Sequence, residues 1–226
     1  MAMRMSERSS LPLLKALKTP RVPASRRSGE ETRAAILAAA ERRFAERGFE
    51  AARLEDIAAD VGIRRAAIFY HFPDKQALYA AVLDDALGSV AAALPSSGST
   101  AERLEGAMGA WIDYVAHRPT VARLILREAA SADPGLVSPL TPAGGHLVKW
   151  LRALIDQGVA EGVLEPLTDP HRVISLMGVA TVFHFASRSS LTPGASFGLA
   201  SAADHERHKQ ETLRLARRML GLPAPR

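Results

Sequence analysis

The 226-residue chain is 47% apolar and 23% charged and has no cysteine, a balance that suits a globular protein with one or two small domains and a real core. Without cysteine there are no disulfides, thiolate metal centres or thiol nucleophiles, and a reducing, cytoplasmic setting is expected. The net charge of +5 belongs to a tail: residues 1–29 hold seven basic groups against one acidic, and the other 197 hold 22 against 23, so any nucleic-acid contact must rest on local placement of charge.

Residues 1–27, with Pro12, Pro20, Pro23 and scattered serines, lack a periodic apolar pattern that would offset the entropy of folding, so a disordered basic arm is expected. No apolar block with a small-residue cleavage site follows the basic start, and no secretory signal is expected. Order begins at Ser28, because Ser28-Gly-Glu-Glu31 has the spacing of a capping box. Ile36, Leu37, Ala40 and Phe44 then form one apolar helical face, Gly48 ends that helix, and Phe49 folds back onto it. Leu54, Ile57, Ala58 and Val61 predict a short second helix closed by Gly62. A third, Arg65 to Phe72, turns Ile68 and Phe72 inward. Phe72-Pro73 breaks it, and Asp74 caps the next. Leu78, Val82, Leu83, Ala86, Leu87 and Val90 carry that helix to Leu94-Pro95, roughly 30 Å for ~20 residues and long enough to join two domains.

After Ser96 to Thr100 the period stays helical. Leu104, Met108, Trp111 and Val115 line one helix, Pro119 interrupts, and Val121, Leu124 and Ile125 line the next. Residues 131–145, with three prolines and Gly144-Gly145, predict a loop. Leu147, Trp150, Leu151, Leu154, Ile155 and Val159 then mark a helix ending near Gly162. Asp169-Pro170 opens an apolar helix to about Ala186, residues 187–203 read as a loop, and Leu213, Ala216, Met219 and Leu220 belong to a last helix. The longest charge-free apolar stretch, Val173 to Ser187, is shorter than the ~20 residues that span a bilayer, so no membrane contact is expected. With no strand pattern and no repeat, the class is all-α.

Residues 54–73 have the parts of a helix-turn-helix: small Ala58 where two helices cross, Gly62 in the turn, and Ile57, Val61, Ile63 and Ile68 between them. An ordinary helical hairpin uses the same glycine and stripe, so the pattern alone only leans toward DNA. The longer run ETRAAILAAAERRFAERGFEAARLEDIAADVGIRRAAIFYHFPDKQAL, residues 31–78, resembles the N-terminal domain of the TetR family of bacterial transcriptional regulators. The resemblance rests on A-E-R-G-F at 45–49, D-I-A at 56–58, Gly62, I-F-Y-H-F at 68–72 and Lys75, and covers about a fifth of the chain.

The resemblance implies a three-helix DNA-binding domain over 28–78, joined by a long helix to a ligand-binding and dimerisation domain over 79–226. It places Arg64, Arg65, Ala66, Ala67, Tyr70 and His71 on the recognition helix. Arg65 would reach a base edge or a phosphate, Tyr70 and His71 the backbone, and Lys75 a phosphate at the start of the fourth helix. Three positions depart from the family pattern. Ala52 replaces a common phosphate-contacting threonine, Arg64 a common N-cap serine, and Phe69 a common tyrosine.

Trp111, Tyr114, Trp150 and His184 are candidates for a ligand pocket; the plainer alternative is packed core for the three aromatics and a hydrogen-bonded interface position for His184. Val173, Leu176, Met177, Phe183, Leu213 and Met219, on the apolar and final helices, are candidates for a homodimer seam. His205 and His208 are spaced i, i+3 but are expected on a solvated surface rather than around a metal. No cofactor, metal site or catalytic constellation is expected, so the chain reads as a non-enzyme. The function expected is a ligand-responsive regulator, most often a repressor, that binds a palindromic operator in double-stranded DNA as a homodimer and is released by a small molecule. The alternative is a small-molecule- or partner-binding protein whose helix-turn-helix no longer binds DNA.

Overall fold

The computed structural model describes residues 28–130, 142–165, 169–191 and 202–222. The arm expected over 1–27 and the centres of both predicted loops lie outside these residues. The described residues are helical with no strand, as the sequence pattern implies: α1 (Gly29–Ala51), α2 (Leu54–Val61), α3 (Arg65–His71), α4 (Lys75–Ala92), α5 (Thr100–His117), α6 (Pro119–Ala129), α7 (Pro142–Ala160), α8 (Pro170–Met177), α9 (His184–Leu191) and α10 (Ala202–Leu220). A π-helical turn, Gly178–Phe183, joins α8 to α9.

Local signals set the head. The Ser28 hydroxyl accepts from the Glu31 amide while the Glu31 carboxylate accepts from the Ser28 amide, so two orphan donors of α1 are satisfied. Gly48, at φ +78°, breaks α1 before a final turn to Ala51. Gly62 closes α2 in the left-handed region at φ +77°, and the Ile63 amide reaches back to the Ala58 carbonyl. Ile36, Phe44, Ile57, Ile68 and Leu78 are fully enclosed, each contributing ~1.5–3 kcal/mol on burial. Leu124 of α6 is buried in this same cluster, so the head's core is completed from outside the first four helices.

Two further clusters fill the C-terminal half. One holds Leu104, Met108, Leu154, Ile155, Leu164, Val173 and Leu220; the other holds Val115, Ala122, Val182, Phe185 and Ala186.

Three expectations change. The loop predicted over 131–145 ends early, because α7 starts at Pro142 and includes Gly144 and Gly145. Proline is favoured in a first helical turn, and the Ala143 amide donates to Asp84 on α4, a cap supplied from a distant segment. The loop predicted over 187–203 is shortened by α9 at one end and α10 at the other. Ser187 remains helical with its hydroxyl donating to the Phe183 carbonyl. The apolar helix from 170 is not uniform, since its middle is the π turn. There the Thr181 side chain is fully buried, donates to the Met177 carbonyl and accepts from Trp111 Nε1 at 2.8 Å.

Candidate nucleic-acid interface

The interface is built on α3, which is only seven residues long and depends on its supports. Arg64 is its N-cap in extended conformation without a side-chain cap bond, so the helix starts on the Ala67 amide to Arg64 carbonyl contact. Ile68 and Phe72 pin the inner face into the head's core. The outer face carries Arg64, Arg65, Ala66, Phe69 and Tyr70, all exposed, and Tyr70 is 87% accessible. His71 is half-buried and meets the Tyr70 ring edge-on at 5.2 Å.

The basic side chains are held in different ways. Arg65 Nη1 lies 2.9 Å from Glu55 Oε1, and its guanidinium stands 5.5 Å from the Phe69 ring. Lys75, in the first turn of α4, donates from Nζ to the Glu50 carbonyl at 3.0 Å and lies 4.6 Å from the Phe49 ring centre. The Asp74 carboxylate caps α4 by accepting from the Ala77 amide at 2.7 Å. Arg43 and Asp60 pair through two bonds of 2.8 and 2.6 Å, bracing α1 against α2, and Arg43 holds the Asp60 carboxyl below its ordinary range. Ala52, at the position of the expected threonine, is buried.

The family model described as bacterial regulatory proteins, tetR family, matches residues 36–82, and the model of the tetracyclin repressor-like C-terminal domain matches residues 101–215. The regulator RutR of Escherichia coli K12 is 32% identical over 171 residues, covering 72% of this chain and 78% of RutR. The chain belongs to the TetR family. The activator FasR of Mycolicibacterium smegmatis is 30% identical over 118 residues, which span 50% of this chain and about half, 54%, of FasR. Among solved structures, the TetR-family regulator PfmR from Thermus thermophilus aligns over 84% of this chain and 99% of its own, at 20% identity and TM-score 0.60. FadR from Bacillus subtilis, in complex with stearoyl-CoA, aligns over 81% and 96% at 14% identity and TM-score 0.65, a likeness of fold.

This TetR-family chain is therefore a transcriptional regulator with a helix-turn-helix DNA-binding head. Its C-terminal candidates do not form one group. Trp111 and Tyr114 pack at the cluster of Val115, Val182 and Phe185, where the Tyr114 hydroxyl accepts from Arg118 at 2.6 Å. Trp150 packs in the other cluster, beneath the Arg103 guanidinium. His184 stacks on His208 at 4.1 Å with the rings 15° from parallel. The histidine pair expected on a solvated surface is packed instead: His205 is mostly buried with Nε2 2.7 Å from Asp113 Oδ1, and His208 also meets Phe185 edge-on. The described residues contain no group of three or more ligands arranged for a metal.

The seam candidates also divide. Val173 is buried and Met177 and Leu213 pack on its cluster. Leu176, Phe183 and Met219 are 43%, 49% and 55% exposed, as is Leu215 at 57%, which sequence periodicity does not single out. Glu41, Glu55, Arg118 and Arg127 also escape a reading of the sequence, because each takes its importance from a partner on another helix.

Proposed function

We propose that the chain is a ligand-responsive repressor that works in the cytoplasm as a homodimer on a palindromic operator. What carries the reading is the exposed row of Arg64, Arg65 and Tyr70 on a short helix braced from behind, in a family of helix-turn-helix regulators. Arg65 reads a base edge, Arg64, Tyr70, His71 and Lys75 serve the backbone, and the +6 tail adds attraction that is independent of sequence. Two heads enter successive major grooves about 34–36 Å apart. Exposed Leu176, Phe183, Leu215 and Met219 supply the apolar seam between copies, forming a four-helix bundle from α8–α9 and α10 of each.

A small molecule entering the C-terminal domain near Trp111 and Tyr114 changes the spacing of the heads and so releases DNA. It needs only to prefer the incompetent spacing. A second reading has one observation in its favour: Lys75 and Arg65 are both engaged within the protein, as in a ligand- or partner-binding protein with an idle head. Selection of duplexes from a random pool, followed by mobility shifts at rising salt, separates the two. The proposed function requires an enriched palindrome bound with steep salt dependence. Binding that is absent, or equal on all sequences, favours the second reading.

A further inference from the structure

The two arginines that open α3 differ in their freedom. Arg64 is exposed at the N-cap. The Arg65 guanidinium is fixed on two sides, by Glu55 Oε1 at 2.9 Å and by the Phe69 ring one helical turn further on. Glu55 stands in the first turn of α2, so the contact bridges the helix that supports and the helix that reads. The Arg65 and Glu55 side chains are 55% and 49% exposed. Such a pair adds little to stability and costs side-chain entropy, so its consequence is positional.

We infer that Glu55 is a positioning residue that makes Arg65 a reader of base edges instead of a phosphate contact. A carboxylate oxygen on one edge of the guanidinium leaves further donors of its five-donor fork for a bidentate pair with guanine O6 and N7. The same carboxylate offsets the arginine's charge where a phosphate would approach, and repels the phosphate itself. A neutral base edge meets much less of that repulsion. The Phe69 ring narrows the remaining orientations. This inference rests on the proposed reading of α3 and extends it to selectivity.

The test compares wild type, Glu55→Gln, Arg65→Ala and the double variant, using the duplex that wild type enriches from a random pool and an unselected duplex, each across a salt series. Glu55→Gln is expected to bind unselected duplex more tightly, on the order of tenfold at 0.1 M salt, with a slope steeper by about one phosphate contact. Its preference for the selected duplex is expected to fall about tenfold. In the Arg65→Ala background the same substitution leaves the preference and the salt slope unchanged and tightens both duplexes alike, only by what the carboxylate's own repulsion of phosphate accounts for. Unchanged preference and slope in Glu55→Gln, with wild type still selective, overturn the positioning role and leave the reading of α3 standing. A wild type that enriches no sequence removes the reading of α3 and this inference with it. Far-ultraviolet circular dichroism and urea unfolding are expected to match wild type for every variant, and loss of helix in Glu55→Gln alone shows a structural role and overturns the inference.

Discussion

The Lys75 ammonium donates to the Glu50 carbonyl and faces the Phe49 ring, which ties the start of α4 to the turn that follows Gly48. Phe49 is half-buried against the head's core, and a cation over such a ring is worth on the order of 1 kcal/mol, so a phosphate must compete with these contacts or share the ammonium's remaining donors. Lys75→Ala is expected to weaken binding to every duplex alike, to reduce the salt slope by about one contact and to lower stability by about 1 kcal/mol. Salt-dependent titration and urea unfolding of the same preparation check both halves, and an unchanged slope leaves the lysine with the structural role alone. Ser28, Gly48, Gly62 and Asp74 were legible in the sequence because a cap or a left-handed turn is decided within four residues. Lys75 was legible as a cation at a helix start. Its resting partner was not, because the Glu50 carbonyl comes near only when α1 and α4 have packed.

α6 grips the head at three points. Arg118 and Thr120, at its start, bond to the buried Glu41 carboxylate of α1; Arg127 donates to the Ala45 and Glu46 carbonyls where α1 ends; Glu128 accepts from the Tyr79 hydroxyl of α4 at 2.7 Å. Burial and the hydrogen bond to Glu128 together push the Tyr79 phenol above its ordinary range. With Leu124 in the head's core, α6 and the head form one packed body, so a shift of α6 moves the head directly as well as through α4. Arg118→Ala leaves Glu41 buried with a single hydroxyl donor and is expected to cost about 2 kcal/mol, less than for a fully enclosed pair because Arg118 is a third exposed. Urea unfolding measures this, and a loss below ~0.5 kcal/mol removes the contact as a structural tie.

α5 in turn holds α10 through Asp113, which accepts from Lys209 at 2.6 Å and from His205 at 2.7 Å. Burial works to raise the Asp113 carboxyl, but the Lys209 and His205 hydrogen bonds outweigh it and hold the group below its ordinary 3.8. A carboxyl depressed in the folded state adds stability above its unfolded value and loses it as pH falls through the lower folded one. The stability difference between wild type and Asp113→Asn is therefore expected to be full at about pH 5 and to shrink below 3.8. Urea midpoints across that range test it, and a difference independent of pH assigns the effect to packing. These ties escaped the sequence reading because their partners stand 49 to 96 residues apart. The order and period of the helices were legible because hydrophobic spacing repeats within each one.

In the proposed homodimer two copies are held at a fixed distance so that both heads meet one face of DNA, and Phe183 is the most exposed aromatic of the C-terminal half among the described residues. Phe183→Glu is expected to give folded, helical monomers with operator affinity reduced roughly 10²–10⁴-fold, since the second head no longer adds to the first. Sedimentation at micromolar concentration reads the association, and a Phe183→Glu dimer or a wild-type monomer places the seam elsewhere or removes it. The charge of residues 30–226 is nearly balanced, so under the proposed function most of the long-range attraction to DNA is assigned to the tail, and its removal is expected to weaken binding most at low salt.

The π turn sets which side chains of the α8–α9 stretch face outward. At 3.6 residues per turn, a buried stripe leaving Val173 would return at Met177, Ala180 and His184. It returns instead at Thr181, Val182, Phe185 and Ala186, one position late, as the extra residue of a π turn dictates. Phe183 faces outward and Phe185 inward because of that single residue. Removing one residue between Gly178 and Phe183 would restore an even α-helix and rotate everything beyond it by about 100°. The helix would keep its composition and lose its register, so in this stretch the number of residues matters as much as their kind.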